Sequence, residues 1–308
     1  MTIDGEVYSM AFFIPQAVTK VEDKQNIKTN AKTSTPLWDE EDPTQGRQET
    51  LIVSIRGLQK VGKTHLLMTS VELEQTQFMN FVVKSGKPLY YIDMENAAKI
   101  EKDHHFSQYA KDIKIKTPIT FDEKGRIDYV KSYVKFKELI DEIFANVDNG
   151  ILCIDGAGFI ADATWFILID RILGYGFDDF GKPNKKPAPH EYVWRKKEMR
   201  ELFTKLRFMK VPVFITNKVK KETEPDQEKN FFKFTGSYVE DSIEGTPYYY
   251  DMEITLEKVV DGADIKRVAK IYDSRFEEDK IPVLKYTIED PSMKKIFVRI
   301  GEVLLKKN

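Results

Sequence analysis

Leu51-Ile52-Val53-Ser54-Ile55-Arg56-Gly57-Leu58-Gln59-Lys60-Val61-Gly62-Lys63-Thr64 is the stretch that decides the fold. Its first half is β-branched and apolar, the pattern of a strand buried on both faces. Its second half matches G-x4-G-K-[ST] at every fixed position and opens a helical pattern from about residue 63 to 84. The glycines let the backbone turn tightly and bring its N–H groups up to phosphate oxygens. The start of the helix adds a positive dipole end. Lys63 places a compact charge between β- and γ-phosphates, and the Thr64 hydroxyl ligates Mg²⁺. The predicted nucleotide-binding set is therefore Gly57, Leu58, Gln59, Lys60, Val61, Gly62, Lys63, Thr64 and the adjoining His65, with ATP and Mg²⁺ as the expected ligands.

Working outward, Pro88 to Ile92 reads as a second buried strand, and 113–119 as a weaker one. Residues 128–147 carry helical spacing, with Tyr129, Tyr133, Phe136, Ile140 and Ile143-Phe144 on one face. Ile151-Leu152-Cys153-Ile154 is a third buried strand, and Asp155 ends it where an acid can hold a water in a Mg²⁺ shell. Asp93 and Glu95 follow the second strand, and a carboxylate there can orient an attacking water. A Gly- and Pro-rich loop spans 174–189, a helix about 190–210 and a strand 211–216. The segment 218–245 is polar, 248–260 alternates, Asp261-Gly262 signals a hairpin, 265–272 is its return strand, and 283–288 offers one more. The predicted fold is α/β: a mostly parallel sheet with helices on both faces and antiparallel hairpin strands at its C-terminal edge.

Composition limits the function. The 308 residues hold 48 Lys plus Arg against 50 Asp plus Glu, a formal charge of −2, which excludes nucleic-acid binding by a diffuse basic surface but not by local loops. One cysteine, Cys153, and four histidines exclude a disulfide framework and argue against a Cys- or His-based metal centre. No apolar run is long enough to span a bilayer, and acids at Asp4 and Glu6 stand where a signal peptide needs a basic segment, so a cytoplasmic location is expected (host cytoplasm, if phage-encoded).

Taken in order, the phosphate loop, Ile92-Asp93-Met94-Glu95-Asn96-Ala97, Ile151 to Asp155 and Phe214-Ile215-Thr216-Asn217-Lys218 resemble the RecA-like ATPase core. More narrowly they look like phage-type RecA-fold ATPases of single-strand annealing and recombination. The resemblance covers about 49–275, leaving an extended or weakly ordered arm over 1–48 and a C-terminal strand and tail over 276–308. It implies that Glu95 positions the hydrolytic water, that Asp155 is the metal-side acid, and that Asn217 senses the γ-phosphate. It also implies a ring or filament of identical subunits with a basic finger supplied across the interface. Arg275 is the first choice for that finger and Lys270 the second, in a return strand that also carries Lys266 and Arg267. Single-stranded DNA is the implied partner, in recombination, repair or replication. Its expected contacts are Lys182, Lys185 and Lys186 on one loop and Lys218, Lys220 and Lys221 after the sensor strand, each set near phenylalanines on which bases can stack.

Two other readings remain open at the level of sequence. One is a nucleotide or small-molecule kinase, which the absence of arginine between Arg171 and Arg195 disfavours. The other is an NTP-dependent assembly factor with little turnover. The base is not specified: Asn217-Lys218-Val219-Lys220 departs from the guanine-reading N-K-x-D at its last position.

Overall fold

The computed structural model describes residues 2–3, 6–7, 50–78, 81–83, 85–178, 181–226, 231–240, 249–261, 264–274 and 287–305. The chain divides into two units, Met1–Gly46 and Arg47–Asn308. In the first, β1 (Thr2–Ile3) pairs antiparallel with β2 (Glu6–Val7). Apart from these two strands, the expected arm over 1–48 lies outside the described residues.

The second unit runs β3 (Ile52–Gly57), α1 (Lys63–Met68), β4 (Thr76–Phe78), β5 (Phe81–Val83), β6 (Leu89–Asp93), α2 (Ala98–His105) and β7 (Ile113–Lys116). It continues with α3 (Tyr129–Asn146), β8 (Ile151–Asp155), α4 (Ala157–Phe166), α5 (Val193–Arg207), β9 (Val213–Asp226) and β10 (Phe231–Glu240). It ends with β11 (Met252–Asp261), β12 (Asp264–Ser274), β13 (Thr287–Glu289) and α6 (Met293–Leu305). Among the described residues the main sheet has nine strands, ordered β13-β12-β11-β3-β9-β8-β6-β7, with β10 attached to β9. From β11 to β7 every neighbouring pair is parallel, whereas β12, β13 and β10 are added antiparallel. This is the expected α/β architecture, a mostly parallel sheet with antiparallel strands at its edge, with β9 inserted between the phosphate-loop strand β3 and the acid-bearing strand β8.

Period-two alternation along the strands divides the core. Val53, Ile55, Tyr91, Cys153 and Phe214 face a layer containing α1, α2 and α6. Ile52, Ile92, Ile154, Val213 and Ile215 face α3, α4 and α5. Asp128 starts α3 by accepting a hydrogen bond from the Lys131 N–H, and Tyr133, Phe136, Ile140 and Ile143 form its buried stripe, whereas Tyr129 is half-buried and Phe144, one position round the helix from Ile143, is exposed. Phe136 is fully buried, so truncating it to Ala would cost about 3–5 kcal/mol.

The structure departs from the sequence reading in three places. The first helix stops at Met68 and passes through a 3-10 turn at Thr69–Glu72 instead of reaching 84. The chain then folds back, so that the Gly86 N–H donates to the Leu73 carbonyl, and β4 pairs with β5. Most of the polar segment 218–245 is not a loop: β9 runs on to Asp226 and pairs with β10. Cross-strand backbone hydrogen bonds make this ladder, and the polar, charged sequence of β9 beyond residue 219 carries no apolar alternation that would announce it. Beyond residue 276, α6 buries Met293, Ile296, Phe297 and Ile300 in the first core layer. No helix among the described residues is long and apolar enough to cross a membrane.

Candidate nucleotide-binding site

Parallel pairing brings the carboxyl ends of β3, β9, β8 and β6 to one edge. There Gly57 lies level with Lys218, and Asp93 with Asp155. A cleft of about 410 Å³ opens at this edge, within the usual range for a small-molecule site. The phosphate loop forms one wall. Gln59, Lys60, Gly62, Lys63, Thr64 and His65 line it, while Val61 turns into the core and anchors the loop. Lys63 is 8% exposed, and its Nζ donates to the Gly57 and Leu58 carbonyl oxygens at 2.9 Å each. Burial lowers the pKa of its ammonium. Nearby Glu95 and Asp155 oppose that shift, and Lys218 adds to it.

Asp155 is the node of the site. Thr64 and Tyr91 hydroxyls donate to its Oδ2 at 2.7 Å each, and the Thr216 hydroxyl donates to Oδ1 at 2.6 Å. Burial pushes the Asp155 pKa up, and so does Glu95; the three hydroxyl donors pull it back. Thr64 and Asp155, 91 positions apart, thus meet at one point beside the phosphate loop. A hydroxyl and a single carboxylate are oxygen ligands suited to Mg²⁺, which takes few protein ligands and completes its shell with phosphates and water. The residues present therefore fit that ion.

Asp93 and Glu95 have separate roles. Asp93 is fully buried, and its carboxylate accepts backbone N–H groups of Glu95 at 3.0 Å and Ala98 at 2.8 Å. It shapes the turn into α2 and offers nothing to a ligand. Glu95 points into the cleft, where Oε1 pairs with Lys218 Nζ at 2.8 Å. Gly156, with φ of 100°, makes room for it: a Cβ at 156 would lie 2.8 Å from Glu95 Cγ.

Several expected site residues lie elsewhere. Asn217 does not reach the cleft. It is 1% exposed on the opposite face of the sheet, where its amide donates to Ser54 Oγ and the Tyr250 hydroxyl at 2.9 Å each. The reason is alternation: Thr216 and Lys218 share the face of the phosphate loop, and Asn217 between them cannot. Lys218, expected among the DNA contacts, sits in the cleft instead. Lys270 pairs with Glu257 at 2.6 Å across the β11–β12 ladder, away from the cleft lining. Arg275 lies outside the described residues.

The loop lysines Lys182, Lys185 and Lys186 remain outside the site. Lys185 caps the Tyr175 ring at 4.6 Å. Phe166 and Phe177 stack on each other, with centroids 5.0 Å apart, so these rings hold the loop down. Lys220 and Lys221 stand on β9 where it pairs with β10, and Phe180 lies outside the described residues.

The cleft also contains residues the sequence reading did not select. Behind the lining, Thr216 and Tyr91 are buried against Asp155, and both were accessible through period-two counting from Phe214 and Asp93. Glu101 and His105 stand one helical turn apart on α2. Glu101 Oε1 lies 2.6 Å from His65 Nδ1 and 3.9 Å from His105 Nε2. Arg267 enters from β12, and no local pattern distinguishes it from its basic neighbours.

No protein-family model matches the chain, and neither does any curated protein. Among solved structures it is similar to a KaiC-like protein from the hyperthermophilic archaeon Pyrococcus horikoshii OT3, at 16% identity over 78% of this chain and 85% of that one, with a TM-score of 0.42.

Proposed function

We propose that the chain binds Mg–ATP in this cleft and hydrolyses it, and that it does so on DNA, preferentially single-stranded. The observation that carries the reading is the 2.7 Å contact from Thr64 to Asp155, which joins the phosphate loop to the acid of β8 at one point. The loop N–H groups and the Lys63 ammonium hold the phosphate chain, and Lys63 exchanges its contacts to the Gly57 and Leu58 carbonyls for phosphate oxygens. Thr64 and Asp155 would hold Mg²⁺, which when bound neutralises charge developing on the phosphates. Glu95 accepts a hydrogen bond from water and orients it. The water oxygen bonds to the γ-phosphorus as the bond to the β,γ-bridging oxygen breaks, releasing ADP and phosphate.

The DNA part of the reading rests on β9. The same strand carries Lys218 in the cleft and runs directly into the β9–β10 hairpin with Lys220 and Lys221. A change at the phosphates thus has a short covalent route to a surface element. The exposed loop with Lys182, Lys185 and Lys186 offers further phosphate contacts.

ATP turnover measured with no DNA, with single-stranded DNA and with duplex DNA tests both parts. Stimulation by single strands and loss of turnover in Lys63→Ala are expected. Phosphate transfer to nucleosides in preference to water would replace hydrolysis with a kinase reading, and equal turnover in all three conditions would remove DNA.

A further inference from the structure

Arg267 is a cleft residue that neither the motifs nor the resemblance assigns to this chain's own site. It is on β12, paired with Lys258 of β11, and its carbonyl accepts the Asp290 N–H at 2.9 Å, so its backbone is held on both sides. Its side chain lies flat against the phosphate loop. A Cβ built on Gly62 would be 3.0 Å from Arg267 Nε, 3.2 Å from Cδ and 3.7 Å from Cζ. Gly62 therefore has two reasons to be glycine: its φ of 101° and the arginine stem above it.

The neighbouring cations of β12 are committed elsewhere. Lys266 pairs with Glu289 at 3.6 Å and Lys270 with Glu257 at 2.6 Å. Among the described residues Arg267 has no carboxylate partner, and it is exposed to the cleft.

We propose that Arg267 binds the phosphate chain of a nucleoside triphosphate from within the same subunit, so that the site has its arginine in cis. A guanidinium presents a planar fork of donors that matches phosphate oxygens bidentately, and arginines supplied in cis serve phosphoryl chemistry in other P-loop proteins. With Lys60, Lys63 and Lys218 it makes four Lys or Arg cations in the cleft, against the carboxylates of Glu95, Glu101 and Asp155. Phosphates held between the loop N–H groups and Arg267 have donors on two sides, all from one chain. This is an alternative to the expectation that the basic finger comes from a neighbouring copy.

The inference rests on the nucleotide reading above, and its test separates the two. Mg–ATP binding is measured by isothermal titration on the full-length wild type, Arg267→Ala and Arg267→Lys at several protein concentrations, with circular dichroism as a check on folding. Arg267→Ala is expected to bind about tenfold or more weakly, the effect of losing one charge-assisted hydrogen bond. Arg267→Lys should recover only part of the loss, and the deficit should be the same at every protein concentration. An equimolar mixture of Arg267→Ala with Lys63→Ala should regain no tight sites. If Arg267→Ala is unfolded, Arg267→Gln, which keeps the stem over Gly62, is measured in its place. Wild-type affinity in the arginine variants overturns the proposal. Recovery in the mixture also overturns it, because that gives the arginine to a neighbour. A wild-type chain that binds no Mg–ATP overturns the nucleotide reading itself and this inference with it.

Discussion

Lys218 Nζ holds Glu95 Oε1 at 2.8 Å across the mouth of the phosphate cleft. The pair ties Glu95, to which the proposed function gives the water, to the strand that continues into the β9–β10 hairpin. Both side chains are about a third or more exposed, so the pair adds well under about 1 kcal/mol to stability. Under the proposed function a γ-phosphate would compete with Glu95 for the ammonium and leave Glu95 free to take the water.

Lys218→Ala should therefore leave the thermal midpoint nearly unchanged and lower ATP turnover on the order of a hundredfold, as loss of a transition-state cation does. Glu95→Gln should lower it by about a hundredfold as well. Because the two residues touch, the double variant should lose less than the product of the single losses. Steady-state turnover of the four proteins checks this, and strictly multiplicative losses would sink the latch.

Gly156→Ala separates binding from turnover. The added Cβ would sit 2.8 Å from Glu95 Cγ and displace that side chain, while the phosphate loop is untouched. The φ of 100° costs a non-glycine residue a further ~1–2 kcal/mol of stability. Turnover should drop with Mg–ATP affinity within about twofold of wild type, since uniform binding is unaffected. Titration calorimetry and single-turnover hydrolysis on the same preparation measure the split.

Asp155→Asn should inactivate the protein and stabilise it. Burial holds the folded-state Asp155 pKa above its ordinary value, so between the unfolded and folded pKa values the folded chain binds the extra proton. Stability then falls as pH rises through that window and stays lower above it. Asparagine is neutral at every pH and removes the penalty. A thermal midpoint at neutral pH above that of the wild type, with a difference that shrinks in acid, is the expected result.

The pH dependence of binding should follow Lys63. Phosphate takes the charged ammonium, and burial lowers the pKa of that ammonium in the free protein. Affinity for Mg–ATP should thus be full at neutral pH and fall as pH rises through the lowered pKa, sooner than an exposed lysine would allow. Lys63→Ala should flatten this alkaline limb along with abolishing tight binding.

The local pattern was enough for everything that depends on it alone. G-x4-G-K-T after an apolar strand located the phosphate loop, and a four-residue apolar run ending in Asp155 located its partner strand. The stripe Tyr133, Phe136, Ile140 and Ile143 gave α3 its buried face. What tertiary structure decided was which side chains share the cleft. Asn217 and Lys218 are adjacent in the chain, yet a strand sends them to opposite faces, and only the pairing of β9 with β3 and β8 determines which face meets the loop. Asp93 and Glu95 look equivalent in sequence, but the turn into α2 consumes the first carboxylate and leaves the second in the cleft. Arg267 is some 200 positions from Gly62, and its placement comes from the stacking of β12 on β11 and β11 on β3. Short-range periodicity carries no information about contacts of that range, because they are set by the order of strands in the sheet.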